Sequence, residues 1–94
     1  MKTLNIMGKQ YKVRLVERLG CFGCVNLMDH EICIEKKMPK DEQMSTLLHE
    51  IIEVIKYNNE MPIEHSAVMM LEAAIYQALT ANGVNLAPLL RCLK

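Results

Sequence analysis

The hydrophobic period of this chain changes once, near Asp41, and that change fixes what it can become. Before it, apolar residues alternate with polar ones. In Tyr11-Lys12-Val13-Arg14-Leu15-Val16 the residues Tyr11, Val13 and Leu15 share one side and Lys12 and Arg14 the other, which is the period of a half-buried strand. Leu4-Asn5-Ile6-Met7 predicts a partner strand, with Gly8-Lys9 placed for a two-residue turn. Val25-Asn26-Leu27-Met28 and Ile32-Cys33-Ile34 predict a second pair around Asp29-His30. After Asp41 the period becomes helical: Met44, Leu47, Leu48, Ile51, Ile52, Val54 and Ile55 fall on one broad face, and Glu42, Ser45, Thr46, His49, Glu53 and Lys56 on the other. Asp41 suits the N-cap and Asn58-Asn59 the end. Pro62 opens a second helix running to about Asn82 with Gly83 as its stop, and Val68, Leu71, Ile75 and Leu79 form its expected core stripe. A short turn from Asn85 to Leu93 follows. Strands first and helices after predict an α+β domain, a small mostly antiparallel sheet in the N-terminal half packed with two helices in the C-terminal half.

Ninety-four residues make one domain, 1–94. Eleven basic residues balance eleven acidic ones, and no basic tract is interleaved with aromatics, which argues against nucleic-acid binding as the main activity. No apolar run approaches the roughly 20 residues of a membrane span, and the first residues lack the apolar core of a secretory signal, so a cytoplasmic location is expected. There Cys21, Cys24, Cys33 and Cys92 are expected as free thiols. Cys21-Phe22-Gly23-Cys24 is a lone C-x-x-C. A zinc ribbon wants a second pair, and a thioredoxin-like motif wants a helix where Val25 begins a strand, so inert thiols, metal and redox roles all stay open for Cys21 and Cys24.

Chemistry concentrates in Leu47-Leu48-His49-Glu50-Ile51-Ile52-Glu53. At roughly 100° per residue His49 and Glu53 lie about 40° apart on a helix, close enough to grip one metal ion. Glu50 stands where a general base would. The run reads like the H-E-x-x-H zinc helix of metallopeptidases with its second His replaced by Glu. His65, on the first turn of the next helix, supplies a third ligand if the two helices fold back on each other, and three protein ligands leave one position for water. Glu72 shares a stripe with His65 and is either an extra ligand, an orienting partner of His65 or a solvated surface group. Tyr76 is placed either to stabilise an oxyanion or simply to pack with its hydroxyl outward. The bland alternative is a surface helix whose polar stripe faces water. His30, in a turn, is expected to face solvent, and Met69-Met70 is expected in the core or at a small contact between copies.

Most of the chain resembles small zincin-like proteins, often encoded by phages and prophages, related to SprT-like and minimal gluzincin metallopeptidases. The resemblance rests on Met7-Gly8-Lys9-Gln10-Tyr11-Lys12-Val13, Ile32-Cys33-Ile34, Thr46 to Glu53, His65-x-x-Val68-x-x-Leu71-Glu72 and Ile75 to Leu79. In the peptidase pattern the second ligand is His and the third is Glu; here Glu53 and His65 exchange those types. The resemblance implies a zincin-like fold, a zinc cofactor held by His49, Glu53 and His65, and Glu50 as general base acting on a peptide or protein substrate. It leaves open a non-catalytic interaction protein on the same scaffold. Of the strands, Ile32-Cys33-Ile34 is the one expected at a sheet edge, where an extended peptide could add.

Overall fold

The computed structural model describes residues 3–90, so Cys92 and the end of the predicted C-terminal turn lie outside the described residues. Four strands, β1 (Leu4–Ile6), β2 (Lys9–Val16), β3 (Gly23–Asn26) and β4 (Glu31–Glu35), precede helices α1 (Lys40–Asn58), α2 (His65–Ala81) and the single turn α3 (Ala87–Leu90). Both predicted strand pairs form. β1 and β2 close on Met7-Gly8, one residue earlier than expected, with Ile6 opposite Lys9. Met7 and Gly8 both take positive φ, 52° and 86°, the conformation that matches a two-residue turn to the twist of its strands, and Asn5 Oδ1 accepts the Gly8 amide at 2.9 Å. In the second hairpin Asn26 Oδ1 accepts the Met28 and Asp29 amides, an Asx turn in place of a glycine.

The sheet order β1-β2-β4-β3 keeps two of its three pairings antiparallel, as expected, and corrects the place of Ile32-Cys33-Ile34. The sheet is mixed, because β4 pairs parallel with β2, Val13 opposite Ile32 and Leu15 opposite Ile34. The chain leaves β2, passes beyond its neighbour's place to lay β3 at the edge, then returns through the hairpin to insert β4 between them. Ile32-Cys33-Ile34 is therefore an interior strand, and β3 is the edge. The reason is burial: Ile32 and Ile34 are fully buried with Tyr11 and Val13 and need a neighbour on each side, whereas β3 is partly exposed along its length.

Against the inner face of this sheet lies α1. Leu47 and Val54 join Ile6, Tyr11, Val13, Ile32, Ile34 and Leu90 in one core. Gln43 is buried among them and donates through Nε2 to the carbonyls of Lys36 (2.8 Å) and Met38 (3.1 Å), tying the helix start to the segment that leaves β4. At the other end Asn58 Nδ2 donates to the Tyr11 hydroxyl at 3.1 Å. The helix begins at Lys40 behind Pro39, not behind an Asp41 cap; Asp41 and Glu42 instead occupy the first turn, where acidic groups suit the helix dipole. α2 starts at His65, three residues after Pro62, because the Ile63 amide turns back to the Met61 carbonyl at 2.9 Å and Glu64 is extended.

α2 packs on the opposite side of α1, so α1 is sandwiched between sheet and helix. Its expected core stripe is covered at Val68, whereas Leu71 and Ile75 stay exposed. Met69 and Met70 are surface residues too, Met70 at 75% exposure. No helix among the described residues is long and apolar enough to cross a membrane.

Candidate metal centre

Because α2 lies along the polar stripe of α1, the stripe from Ser45 to Lys56 is partly covered and only Glu42 at its start is exposed. The side chains of His49 and Glu53 keep only 16% and 14% of their surface. His65, at the first residue of α2, leans over them at 66% exposure. His49 Nε2 stands 3.7 Å from Glu53 Oε2, and His65 Nδ1 stands 3.8 Å from the same oxygen. One ligand atom from each of the three residues lies within 4.8 Å of the others. The imidazole rings meet edge to face with centroids 5.4 Å apart.

These residues fit a small divalent cation. Around zinc, bonds of about 2.0–2.1 Å set tetrahedral ligand atoms roughly 3.3–3.4 Å apart, so two of the contacts need to close by only a few tenths of an ångström. Glu53 Oε1 is buried with no hydrogen-bond partner, and Lys56 Nζ at 3.9 Å is beyond reach. Oε1 is the oxygen turned away from the imidazoles, so a cation held at Oε2 would offset the charge of the buried carboxylate without itself pairing the orphaned atom.

Glu72 belongs to the same cluster, with His49 as its partner instead of His65. Its Oε1 lies 3.1 Å from His49 Nδ1, and its Oε2 accepts the hydroxyl of Ser45. An Nδ1–H donated to Glu72 would leave Nε2, which points toward Glu53 at 3.7 Å, as the nitrogen that can take a metal. Ser45 lies one turn before His49 on the stripe, and its part was not foreseen; the i, i+4 spacing to His49 was the available signal. Tyr76 lies one turn beyond Glu72, and it lines neither of the clefts beside the cluster.

Glu50 is the other buried polar residue of α1, 6% exposed. Burial pushes its carboxyl from the usual 4.5 up to about 7; nearby His49 opposes the rise, and Glu53 and Glu72 add to it. It sits where two clefts meet. One, of about 270 Å³, is lined by Phe22, Gly23, Thr46, His49, His65 and Glu72; the other, of about 590 Å³, by the 24–28 stretch together with Glu53 and Tyr57. Glu50 lines both. β3 reaches this junction because Gly23 carries no side chain: a Cβ there would stand 2.7 Å from Thr46 Cγ2 and 3.2 Å from both Glu50 Oε2 and the Cys33 carbonyl. The edge strand thus runs against the carboxylate that a general base would use.

Of the remaining singled-out residues, Cys24 and Cys33 line the larger cleft together with Glu50 and Glu53. His30 stacks on Tyr11, with centroids 4.9 Å apart, and is half buried instead of free in solvent. The thiols of Cys24 and Cys33 are both raised, Cys33 to about 11, burial being the main cause in each. Comparison with protein families, with curated proteins and with solved structures gave no match.

Proposed function

We propose that the chain is a zincin-like, zinc-dependent hydrolase of peptides, with His49, Glu53 and His65 as the metal ligands and Glu50 as the general base. One observation carries this reading. Two imidazoles and a carboxylate converge beside a second, protonatable carboxylate, at the junction of two clefts and under an edge strand. The family likeness of the His49-Glu50-x-x-Glu53 helix accords with it.

A zinc ion held there would supply Lewis-acid polarisation of a scissile carbonyl and acidify water. The chain's own residues do the rest. Glu72, braced by Ser45, holds His49 in the metal-facing tautomer. Glu50, whose proton affinity is centred near neutral pH, takes a proton from water in the cleft and returns it to the leaving amine. The free edge of β3 offers backbone groups to an extended peptide, so that alignment comes from strand addition and the chemistry from α1.

The test is metal content followed by activity. Zinc near one per chain is expected, lost in His49→Ala and in His65→Ala. Glu50→Gln should keep the metal and lose hydrolysis of an unstructured peptide. Absence of zinc binding in the wild-type protein, or full activity in Glu50→Gln, would refute the assignment. A second reading, a non-catalytic interaction protein, is favoured by the exposed apolar residues Met69, Met70, Leu71 and Ile75 on α2. It predicts neither zinc nor turnover.

A further inference from the structure

The parity of the β3–β4 ladder decides which backbone groups stay open at the sheet edge. The Glu35 amide donates to the Phe22 carbonyl at 2.9 Å, so Phe22 and Glu35 are a hydrogen-bonded pair. Bonded and open pairs alternate along an antiparallel ladder. Cys24–Cys33 and Asn26–Glu31 are therefore bonded, and Gly23–Ile34 and Val25–Ile32 are open. Gly23 and Val25 turn their amides and carbonyls to the free edge of β3. The Gly23 carbonyl already accepts the Cys21 thiol at 3.4 Å. Val25 presents both an amide and a carbonyl to an incoming strand.

Side-chain direction follows from the same register. Gly23 and Val25 face α1, because they stand opposite the buried Ile34 and Ile32 and a Cβ on Gly23 would meet Thr46 and Glu50. A peptide residue paired with Val25 projects to that same face. There it meets the larger cleft, which Val25 lines with Tyr57 and the carboxylates Glu31, Glu50 and Glu53. The peptide residue two positions on pairs with Gly23 and meets the smaller cleft beside His49 and His65. The backbone between them passes Glu50, which lines both clefts. Among the described residues no lysine, arginine or histidine lines the larger cleft. The cations beside its carboxylates lie outside it: Lys56 Nζ is 3.9 Å from Glu53 Oε1, and Arg14 Nη1 is 3.3 Å from Glu31 Oε2. Glu50, at 6% exposure, has burial and neighbouring charges around it but no hydrogen-bond donor among the described residues.

We propose that the larger cleft selects a lysine or arginine side chain, carried by the peptide residue that pairs with Val25, and that Glu31 anchors its cationic head; the inference rests on the hydrolase reading of the same site. Val25, Leu27, Met28 and Tyr57 give the cleft apolar walls. A long aliphatic stem lies well against such walls while its charged head reaches a carboxylate. In the hydrolase reading Glu53 is committed to the metal and Glu50 to proton transfer, so Glu31 is the carboxylate left for the substrate. Its Oε1 faces the Cys33 thiol at 3.9 Å, a weak partner, while Oε2 is held by Arg14. The Arg14 side chain is 56% exposed, so water screens its hold on Glu31. Glu31 sets specificity and takes no part in bond breaking.

The probes are short fluorescein-labelled peptides of threonine and valine that differ at one central residue: lysine, arginine, leucine or glutamate. Binding is read by fluorescence anisotropy in wild-type protein with a chelator, where no metal-dependent turnover competes, and again in zinc-loaded Glu50→Gln. The lysine and arginine peptides are expected to bind about fivefold more tightly than the leucine peptide, and the glutamate peptide most weakly. Glu31→Gln should remove most of that preference and leave the affinity for the leucine peptide unchanged, which also reports that the variant is folded. N-methylation of the central residue's own amide should abolish binding, because it blocks the bond to the Val25 carbonyl. Equal affinities across the series, or a preference that survives Glu31→Gln, would overturn the proposal. Turnover in the zinc-loaded wild type judges the hydrolase reading separately. A lysine peptide that binds selectively and is not cut defeats hydrolysis and leaves the specificity, whereas cutting of every peptide with equal efficiency defeats the specificity alone.

Discussion

Replacing Glu50 by Gln should stabilise the metal-free protein at neutral and alkaline pH while leaving its acid stability unchanged. Folding buries this carboxyl and lifts it from 4.5 to about 7, so the folded chain holds the proton more tightly than the unfolded chain. The wild-type contribution is therefore complete below pH 4.5 and is lost as pH climbs through about 7. At roughly 1.4 kcal/mol per pH unit the full loss is about 3 kcal/mol. Solvent in the two clefts that Glu50 lines screens its charge, which reduces the expected figure to about 1–2 kcal/mol. Gln keeps the shape and never ionises. Urea denaturation of both proteins, with a chelator present and pH stepped from 4 to 8.5, isolates the effect, since the other titrating groups are common to the pair. The stability difference should be near zero at the acid end, grow through the middle and level off above pH 8. In melting temperature the plateau amounts to roughly 4–12 °C for a domain of this size. Parallel curves, or a difference independent of pH, would refute the claim that burial governs this carboxyl. With them would go the reason for assigning it proton transfer near neutral pH.

Glu72→Ala should weaken zinc binding by roughly 10–100-fold because His49 loses the acceptor that sets its tautomer, and Ser45→Ala should weaken it less because that acceptor loses its brace; competition against a chromophoric chelator measures this, and unchanged affinity would make Glu72 a bystander. Gly23→Ala should cost about 1–3 kcal/mol, since its Cβ meets Thr46 Cγ2 at 2.7 Å, and Thr46→Ser in the same chain should recover much of the loss in a thermal melt. Gln43→Ala should destabilise by about 1–3 kcal/mol by stranding the Lys36 and Met38 carbonyls, read from denaturant midpoints.

Local signals in the sequence carried the elements well. Tyr11, Val13 and Leu15 alternate where β2 forms, and the 3.6-residue repeat from Met44 to Ile55 marks α1. Strand order was not legible, because the pairing of Val13 with Ile32 depends on a connection that no nearby residue encodes. Hence the expectation that Ile32-Cys33-Ile34 lies at an edge failed, although the full burial of two isoleucines gives its reason. The helix faces were half legible. Periodicity separates His49 and Glu53 from the apolar side, but it does not say that α2 would cover them. It likewise credited Leu71 and Ile75 with core positions that the helix leaves outside. Within the site, His49, Glu53 and His65 were readable from type and spacing. The contact between Glu72 and His49 was not, since it depends on how α2 is rotated against α1.

That rotation has a consequence for how the molecule holds together. Among the described residues of α2, Val68 alone is buried, so the helix is docked less by oil than by the groups gathered around His49. An ion seated between His49, Glu53 and His65 would act as a rivet through both helices, and its removal would loosen the C-terminal third while the sheet and α1 stayed intact. Amide exchange along α2 would then report occupancy of the centre from a distance, with no substrate needed.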